Sequence, residues 1–279
     1  MKTNISVLIP TLNEEKNLPF ALESCQFAEK IFVLDCGSTD RTRIVAGEYN
    51  AEFMYHEWEG YARQKNWGLD NLPIRTDWVF ILDADESFTA PLRDEVIAIA
   101  ADDAKTENVG YYINRHFIWQ GRKILHCGYY PSWNLRFFRR GRARYEEREV
   151  HEHMLIDGPV GYLQGEMRHE DRRGRDYLWL KHLKYAELEA GAMLAAQRVN
   201  KASRIRPSLF GNLLERRRAI KEYVWPHLPL RHVFRFIYMY LIKKGFLDGA
   251  AGLDMCLFMS RYEREISLRY KELRKKAAA

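Results

Sequence analysis

The sequence predicts an α/β fold: a mostly parallel, mixed sheet covered on both faces over residues 1–173, followed by a helical, basic appendage over 174–279. Three observations carry this. Uniformly apolar runs, "ISVLIP", "IFVLD", "AEFMYH" and "WVFILD", alternate with helix-like segments in the first hundred residues. Such runs suit strands of a parallel sheet buried on both sides. Each of three runs ends in polar, acid-bearing residues, and after Gly174 the apolar spacing becomes helical.

The first run stops at Pro10 and enters a polar loop containing Thr11, Asn13 and Glu14; Thr11 or Asn13 is a helix-start signal before Glu14 and Glu15. The second run closes on Asp35, with Ser38 or Thr39 as the next helix start before Asp40. "AEFMYH" supplies a third strand and "WVFILD" a fourth, which runs directly into Asp83, Asp85 and Glu86. This alternation of strand and helix is the βαβ pattern. Between Val109 and His169, "GYYINRHFIW", "WNLRFFRR" and "GPVGYLQGEMRH" read as mixed or antiparallel strands with long loops. Residues 1–100 then form a ligand-binding half and 101–173 the acceptor side. Four helical stretches follow, at 176–202, 209–225, 230–244 and 246–273.

Composition excludes several classes. The hydrophobic content of 47% in 279 residues provides a sizeable core, so disorder is not the default. Cys25, Cys36, Cys127 and Cys256 lie far apart, without zinc spacing or a disulfide ladder, which points to a reducing, cytoplasmic setting. The N-terminus lacks the long apolar run of a secretory signal, and Lys243, Lys244, Asp248 and Asp254 interrupt the most apolar region before it reaches spanning length. The net charge of +6 is concentrated between Lys201 and Lys244, where eleven basic residues face only Glu215 and Glu222. That segment calls for an anionic surface. "FRFIYMYLI" and "AAGLDMCLFM" fit interfacial helices on the inner membrane surface; packing on the domain or a homo-oligomer contact is the plainer alternative.

In open α/β sheets ligands bind beyond the carboxyl ends of the strands, which is where the polar residues cluster here. Asp83-Ala84-Asp85 at a strand end suits a divalent cation shared with a diphosphate, since hard cations take oxygen ligands and keep open positions. Acids dressing a helix N-terminus would explain the same pattern equally well. No Gly-x-Gly-x-x-Gly follows the first strand, which disfavours dinucleotide oxidoreduction.

"ISVLIPTLNEEKNL", "VLDCGSTDRT", "GYARQKNWGL" and "VFILDADE", in this order, resemble the nucleotide-sugar half of family 2 glycosyltransferases, which have the GT-A fold. With "REVHEH" and the basic tail, the set is most similar to bacterial lipopolysaccharide-core and surface-polysaccharide enzymes. The resemblance implies an inverting, metal-assisted transfer (Mn²⁺ or Mg²⁺) from a nucleotide-sugar donor, of the UDP type, to a hydroxyl of a glycan or lipid-linked glycan. Pro10, Thr11, Asn13 and Glu14 would form the first nucleotide loop, Asp35 would accept from a uracil-like base, and Lys65 would face base or phosphates. Asp83 would contact ribose or metal, and Asp85 would be the principal metal ligand, with His169 a further candidate. Cys36 stands where relatives often have a second acid, and Lys65 where they often have Arg, which keeps charge but loses bidentate geometry.

Taken alone, Lys65 reads as a solvated helix charge, and Asp35 and Asp40 as caps of the following helix. Transfer also needs a base for the acceptor hydroxyl. The resemblance of the Val-His-Glu piece favours Glu152, with Glu149 as competitor, while Glu170-Asp171 resembles the acidic pair that family members use but sits among arginines that suit ion pairing. Trp58, Trp119, Tyr129, Tyr130 and Trp133 suit core packing or sugar faces; packing is the expected role of most, with Trp133 the one candidate for the acceptor side. The rival classes are a sugar-phosphate nucleotidyltransferase, which would want a Gly-rich phosphate loop where "PTLNEE" stands, and a non-catalytic basic protein binding membrane or nucleic acid. The acidic strand ends argue against the second, so no nucleic-acid partner is expected.

Overall fold

The computed structural model describes residues 3–102, 106–146, 154–198, 225 and 228–278. Its strands, in chain order, are β1 Ile5–Thr11, β2 Lys30–Asp35, β3 Glu52–Tyr55, β4 Trp78–Ile81, β5 Glu86–Phe88, β6 Gly110–Trp119, β7 Arg122–Ile124, β8 Trp133–Arg139, β9 Ala143–Tyr145, β10 Met154–Ile156 and β11 Val160–His169. Nine of them form one sheet in the order β3-β2-β1-β4-β8-β6-β11-β5, with β7 paired to β6; β9 and β10 form a separate ribbon. β3, β2, β1 and β4 run parallel, β8 is antiparallel to both its neighbours, β11 returns parallel to β6, and β5 closes the far edge antiparallel to β11. This is the mixed α/β sheet that the GT-A resemblance implies.

The apolar runs become the four parallel strands because both of their faces are covered. On one face Val7, Ile9, Val33, Trp78, Phe80 and Phe137 pack together, with the Trp78 and Phe137 rings 4.5 Å apart; on the other Leu8, Phe32, Leu34, Val79, Ile81 and Phe138 do so. Helices α1 Leu18–Ser24, α2 Thr42–Glu48, α3 Tyr61–Asn71 and α4 Ala90–Ala101 connect and cover them.

Two helix starts differ from the expected ones. α1 begins at Leu18 after Asn17, and α2 at Thr42 after Arg41. The residues that looked like caps serve loop geometry instead: Thr11 completes β1, Asn13 turns left-handed at φ 54°, and Ser38 and Thr39 donate to Asp35 and Asn13. Asp40 does cap locally, its Oδ1 accepting the Thr42 N–H at 2.9 Å.

The chain forms two compact units, Met1–Leu125 with Tyr129–Arg173, and His126–Gly128 with Gly174–Ala279. The second contains α5 Arg175–Arg198, α6 Arg231–Ile237, a π-helical turn Tyr238–Ile242 and the long α7 Gly249–Ala278. α5 and α7 meet through Ala186, Tyr262 and Ile266, joined by Trp179 and Met259. The helical stretch at 209–225 lies outside the described residues except for Trp225. "AAGLDMCLFM" turns largely inward: Ala251, Met255, Cys256 and Phe258 are buried in this unit, whereas "FRFIYMYLI" keeps an exposed face. No helix among the described residues is long and apolar enough to cross a membrane.

Candidate active site

β1 and β2 end side by side, with Thr11 opposite Asp35 in register, so the two polar loops that follow form one wall. Asp35 is 2% exposed, and its carboxylate organises that wall. Oδ2 accepts the N–H groups of Gly37 (2.8 Å) and Ser38 (2.7 Å), while Oδ1 accepts the Thr11 hydroxyl (3.1 Å) and the Ser38 hydroxyl. Four donors fill the acceptor capacity of a carboxylate, so a nucleobase N–H would enter only by displacing one of the two hydroxyls. The loop is laced further: Asn13 N–H donates to Ser38 Oγ at 2.7 Å, and Asn13 Oδ1 accepts the Thr39 N–H at 2.8 Å. Cys36 beside it has its thiol pushed up to about 11 by burial and by the Asp35 charge, which leaves it unreactive at neutral pH.

Glu14 is held from two sides. Its Oε1 takes Arg173 at 2.7 Å and its Oε2 the Asn17 amide at 2.9 Å. Asn17 also binds Asp171, which is doubly bonded by Arg173 at 2.8 and 2.5 Å; Glu170 pairs with Arg168 and Arg172. The acidic pair Glu170-Asp171 is therefore committed to ion pairs. Burial raises the Asp171 carboxyl, but the bonds from Arg173 outweigh it and hold the pKa at about 2.

At the end of β4 the chain turns through Asp83 to Glu86, with the Glu86 N–H on the Asp83 carbonyl and the Asp83 N–H on Glu86 Oε2. Crowded carboxylates need a cation nearby, and this chain supplies its own. Arg136 of β8, with a side chain 6% exposed, reaches Asp83 Oδ2 at 2.5 Å and Glu86 Oε1 at 3.0 Å through the same nitrogen. Arg115 of β6 reaches the fully buried Glu86 at 3.0 Å, and Lys65 of α3 stands 3.5 Å from Asp83 and over the Tyr145 ring. Burial pushes the Asp83 and Glu86 carboxyls up, but the opposite charges, Arg136 foremost, hold both below the usual carboxylate range. Burial lowers the Arg136 guanidinium, and Asp83 and Glu86 more than compensate, raising it above its ordinary value.

Lys65 corrects the reading taken from sequence alone: it is not a solvated helix charge, since its side chain is 9% exposed. The helix places it inward beside Gln64 and Asn66, which are buried as well, and Asn66 bridges to Tyr145 in both directions at 2.9 Å. Arg136 and Arg115 escaped sequence reasoning altogether. The available signal was an arginine within the buried strand "WNLRFFRR", which has to find an acid.

Asp85 lies between the two clamped acids and points elsewhere. Its Oδ2 is 3.7 Å from His169 Nε2, and its backbone carbonyl accepts the Glu170 N–H at 2.8 Å. The register of β11 against β5, His169 opposite Glu86, brings this histidine across from the far edge of the sheet. His169 Nδ1 faces Glu86 at 3.8 Å, and the Phe117 ring lies against the imidazole at 4.6 Å. A carboxylate oxygen and an imidazole nitrogen suit Mn²⁺ or Mg²⁺, and a second carboxylate behind a histidine is the usual support of a metal ligand. Among the described residues no three His, Cys, Asp or Glu side chains form a complete metal cage. A two-donor site fits a cation that shares its remaining positions with a diphosphate and water.

Thr11, Asp35, Glu14, Lys65, Asp83, Asp85 and His169 thus all sit on the first unit, at or beside the carboxyl ends of β1, β2, β4 and β11. Glu149 and Glu152 lie outside the described residues. Of the aromatics, Tyr130 donates to Glu166 at 2.5 Å and Tyr129 packs edge-on against Phe117, while Trp58 and Trp133 are exposed, Trp133 against Tyr162.

The glycosyl transferase family 2 model matches residues 6–156. The chain is 34% identical over 201 residues to the lipopolysaccharide core biosynthesis glycosyltransferase LpsC of Rhizobium meliloti (strain 1021), covering 68% of this chain and 71% of that one. An uncharacterized glycosyltransferase of Rickettsia bellii (strain RML369-C) is 33% identical over 110 residues, 39% of this chain and 37% of its own length. Among solved structures, glucosyl-3-phosphoglycerate synthase from Mycobacterium tuberculosis, in complex with Mn²⁺, UDP and glucosyl-3-phosphoglycerate, aligns with a TM-score of 0.33 and 22% identity, over 42% of this chain and 44% of that chain. The matched segment spans β1 to β10, and with it the Asp35 wall, the Asp83 to Glu86 turn and the arginines that clamp it: the chain belongs to glycosyl transferase family 2.

Proposed function

We propose that the protein transfers a sugar, with inversion, from a nucleotide-diphosphate donor of the UDP type to a hydroxyl of a lipopolysaccharide-core or related surface glycan, lipid-linked at the cytoplasmic membrane face. The observation that carries this is the pairing of Asp85 with His169, 3.7 Å apart, beside a wall of strand-end loops built on Asp35. The relative named for lipopolysaccharide core biosynthesis supports the acceptor class.

Asp85 and His169 would hold the divalent cation, with Glu86 3.8 Å behind Nδ1 as a nearby negative charge. A bound cation of this kind would neutralise charge on the departing nucleoside diphosphate. Lys65 adds a fixed, buried positive charge beside it, an arrangement that strengthens electrostatic stabilisation because it is not screened by water. The loop of Pro10, Thr11, Asn13 and Glu14, stiffened by Ser38 and Arg173, would orient the nucleoside without reorganising on binding. Glu152, or Glu149, remains the proposed base for the acceptor hydroxyl, because Glu170 and Asp171 are taken up by arginines.

The test is turnover and Mn²⁺-dependent thermal stabilisation with a panel of nucleotide sugars. Asp85→Ala and His169→Ala are expected to lose at least about a hundredfold in turnover, together with the metal-dependent stabilisation, while keeping a cooperative melt. Wild-type turnover in Asp85→Ala would remove the assignment.

A further inference from the structure

The helical unit contains a helix with its amphipathic faces reversed. Along Arg231–Ile237 and the π-helical turn Tyr238–Ile242, Val233, Ile237 and Leu241 form one ridge and Phe234, Tyr238 and Ile242 the next, four residues apart, and all six are exposed. The inner face instead carries a charge: Arg231 is buried and pairs with Glu263 of α7 at 2.7 Å. Ser260 Oγ donates to the His232 carbonyl at 2.7 Å, and Met239 is fully buried. The segment then turns at Lys244, φ 55°, into Gly245, where a Cβ would meet the Cys127 and Cys256 sulfurs and the Met239 carbonyl at 2.9 Å. The inner face is thus fixed by an ion pair and close packing, so the outward apolar stripe cannot be buried by rotating the helix.

An apolar face of this kind has a partner in its working state. Its charges identify which. From residue 228 to 247 the chain carries Arg231, Arg235, Lys243 and Lys244 and no acid. Lys243 and Lys244 are exposed at the end of the stripe, Lys243 reaching over the Tyr238 ring at 5.6 Å. Tyr and Lys at the border of an apolar stripe suit the headgroup layer, where the ring is half-immersed and the ammonium stays wet. In a two-fold pairing of copies each face meets itself, so the seam would gather the cations of both copies with no acid from the stripe to relieve them.

We infer that this stripe, centred on Phe234, Leu241 and Ile242 and bordered by Lys243 and Lys244, is a docking surface for an anionic phospholipid bilayer. The inference is independent of the donor-site chemistry, because its readout needs neither nucleotide nor metal. The test is sedimentation of the full chain with phosphatidylcholine vesicles with and without phosphatidylglycerol. Binding is expected only to the anionic vesicles and is weakened by salt. The triple variant Phe234→Ser, Leu241→Ser, Ile242→Ser, at exposed positions that leave the core intact, is expected to reduce binding by about tenfold or more. Lys243→Glu with Lys244→Glu is expected to reduce it by a similar factor and to flatten the salt dependence. Three results would overturn the inference: no sedimentation with either vesicle, equal sedimentation of the triple variant, or a lipid-free dimer by light scattering that the triple variant converts to monomer.

Discussion

Arg136 decides what the acids around Asp85 do. With one nitrogen on Asp83 and Glu86 it satisfies the two outer carboxylates, and Asp85, between them in sequence, is left to face His169. Replacing it with Leu leaves the fully buried Glu86 to Arg115 alone and Asp83 to Lys65 alone, and is expected to cost about 3 kcal/mol in urea unfolding. Adding Glu86→Gln should recover part of that loss, so the double variant would cost less than the sum of the singles. Arg136→Lys keeps the charge but not the fork, and a smaller loss follows. Asp171 offers a pH test. Its folded pKa of about 2 lies below the ordinary 3.8, so its pairing, chiefly with Arg173 and also with Asn17, contributes a net of about 2 kcal/mol that is complete above the ordinary value and vanishes as the pH falls through the folded one. Asp171→Asn is expected to flatten the acid limb of a stability-versus-pH curve between about pH 5 and 2, with little change in slope near neutrality. An unchanged acid limb would refute the pairing. Asp83 and Glu86, also depressed, add to the same acid loss with the same sign.

Among the elements, β11 matters most for the site, because it carries His169 to the edge where β5 begins. Its register against β6 shifts between Tyr162 and Glu166, and Gly165 in that interval presses on the start of α4. A Cβ there would sit 2.4 Å from the Leu92 Cα and 2.5 Å from its backbone nitrogen, atoms that cannot swing aside. Gly165→Ala is therefore expected to destabilise by more than about 2 kcal/mol and to lower turnover through His169, measured as unfolding midpoint and metal-dependent donor binding. Gly191, half-buried in α5 with nothing within 4 Å of its Cβ, is the control in which Ala should be neutral or stabilising by a few tenths of a kcal/mol. Strand identity was legible in the sequence because buried parallel strands are apolar throughout. The helix starts were not, since Ser, Thr and Asn can cap a helix or lace a loop, and only the neighbouring loop decides which; Asn13 accepting from Thr39 is a contact 26 residues long.

At the scale of the molecule, a first unit built for chemistry is joined in one chain to a helical unit that presents an apolar, cationic stripe. The burial that splits "FRFIYMYLI" from "AAGLDMCLFM" illustrates the limit of local patterning. Both read as apolar stretches edged by charge, yet Met255, Cys256 and Phe258 face inward while Phe234 and Ile242 face out. The sequence by itself determined the strands, the polar loops at their ends and the crowding of Asp83, Asp85 and Glu86, because these follow from hydrophobic runs and adjacent residues. Ordered motifs along the first hundred residues were enough to identify the family, since each strand-end loop keeps its chemistry whatever the rest of the chain does. Which cation answers those acids was decided only by tertiary structure. Arg136 lies 53 residues from Asp83, Arg115 29 from Glu86 and His169 84 from Asp85, and their meeting depends on a sheet order that inserts β8, β6 and β11 between the end of β4 and β5. Pairing of charges across strands is fixed by register and burial, quantities that no local pattern encodes.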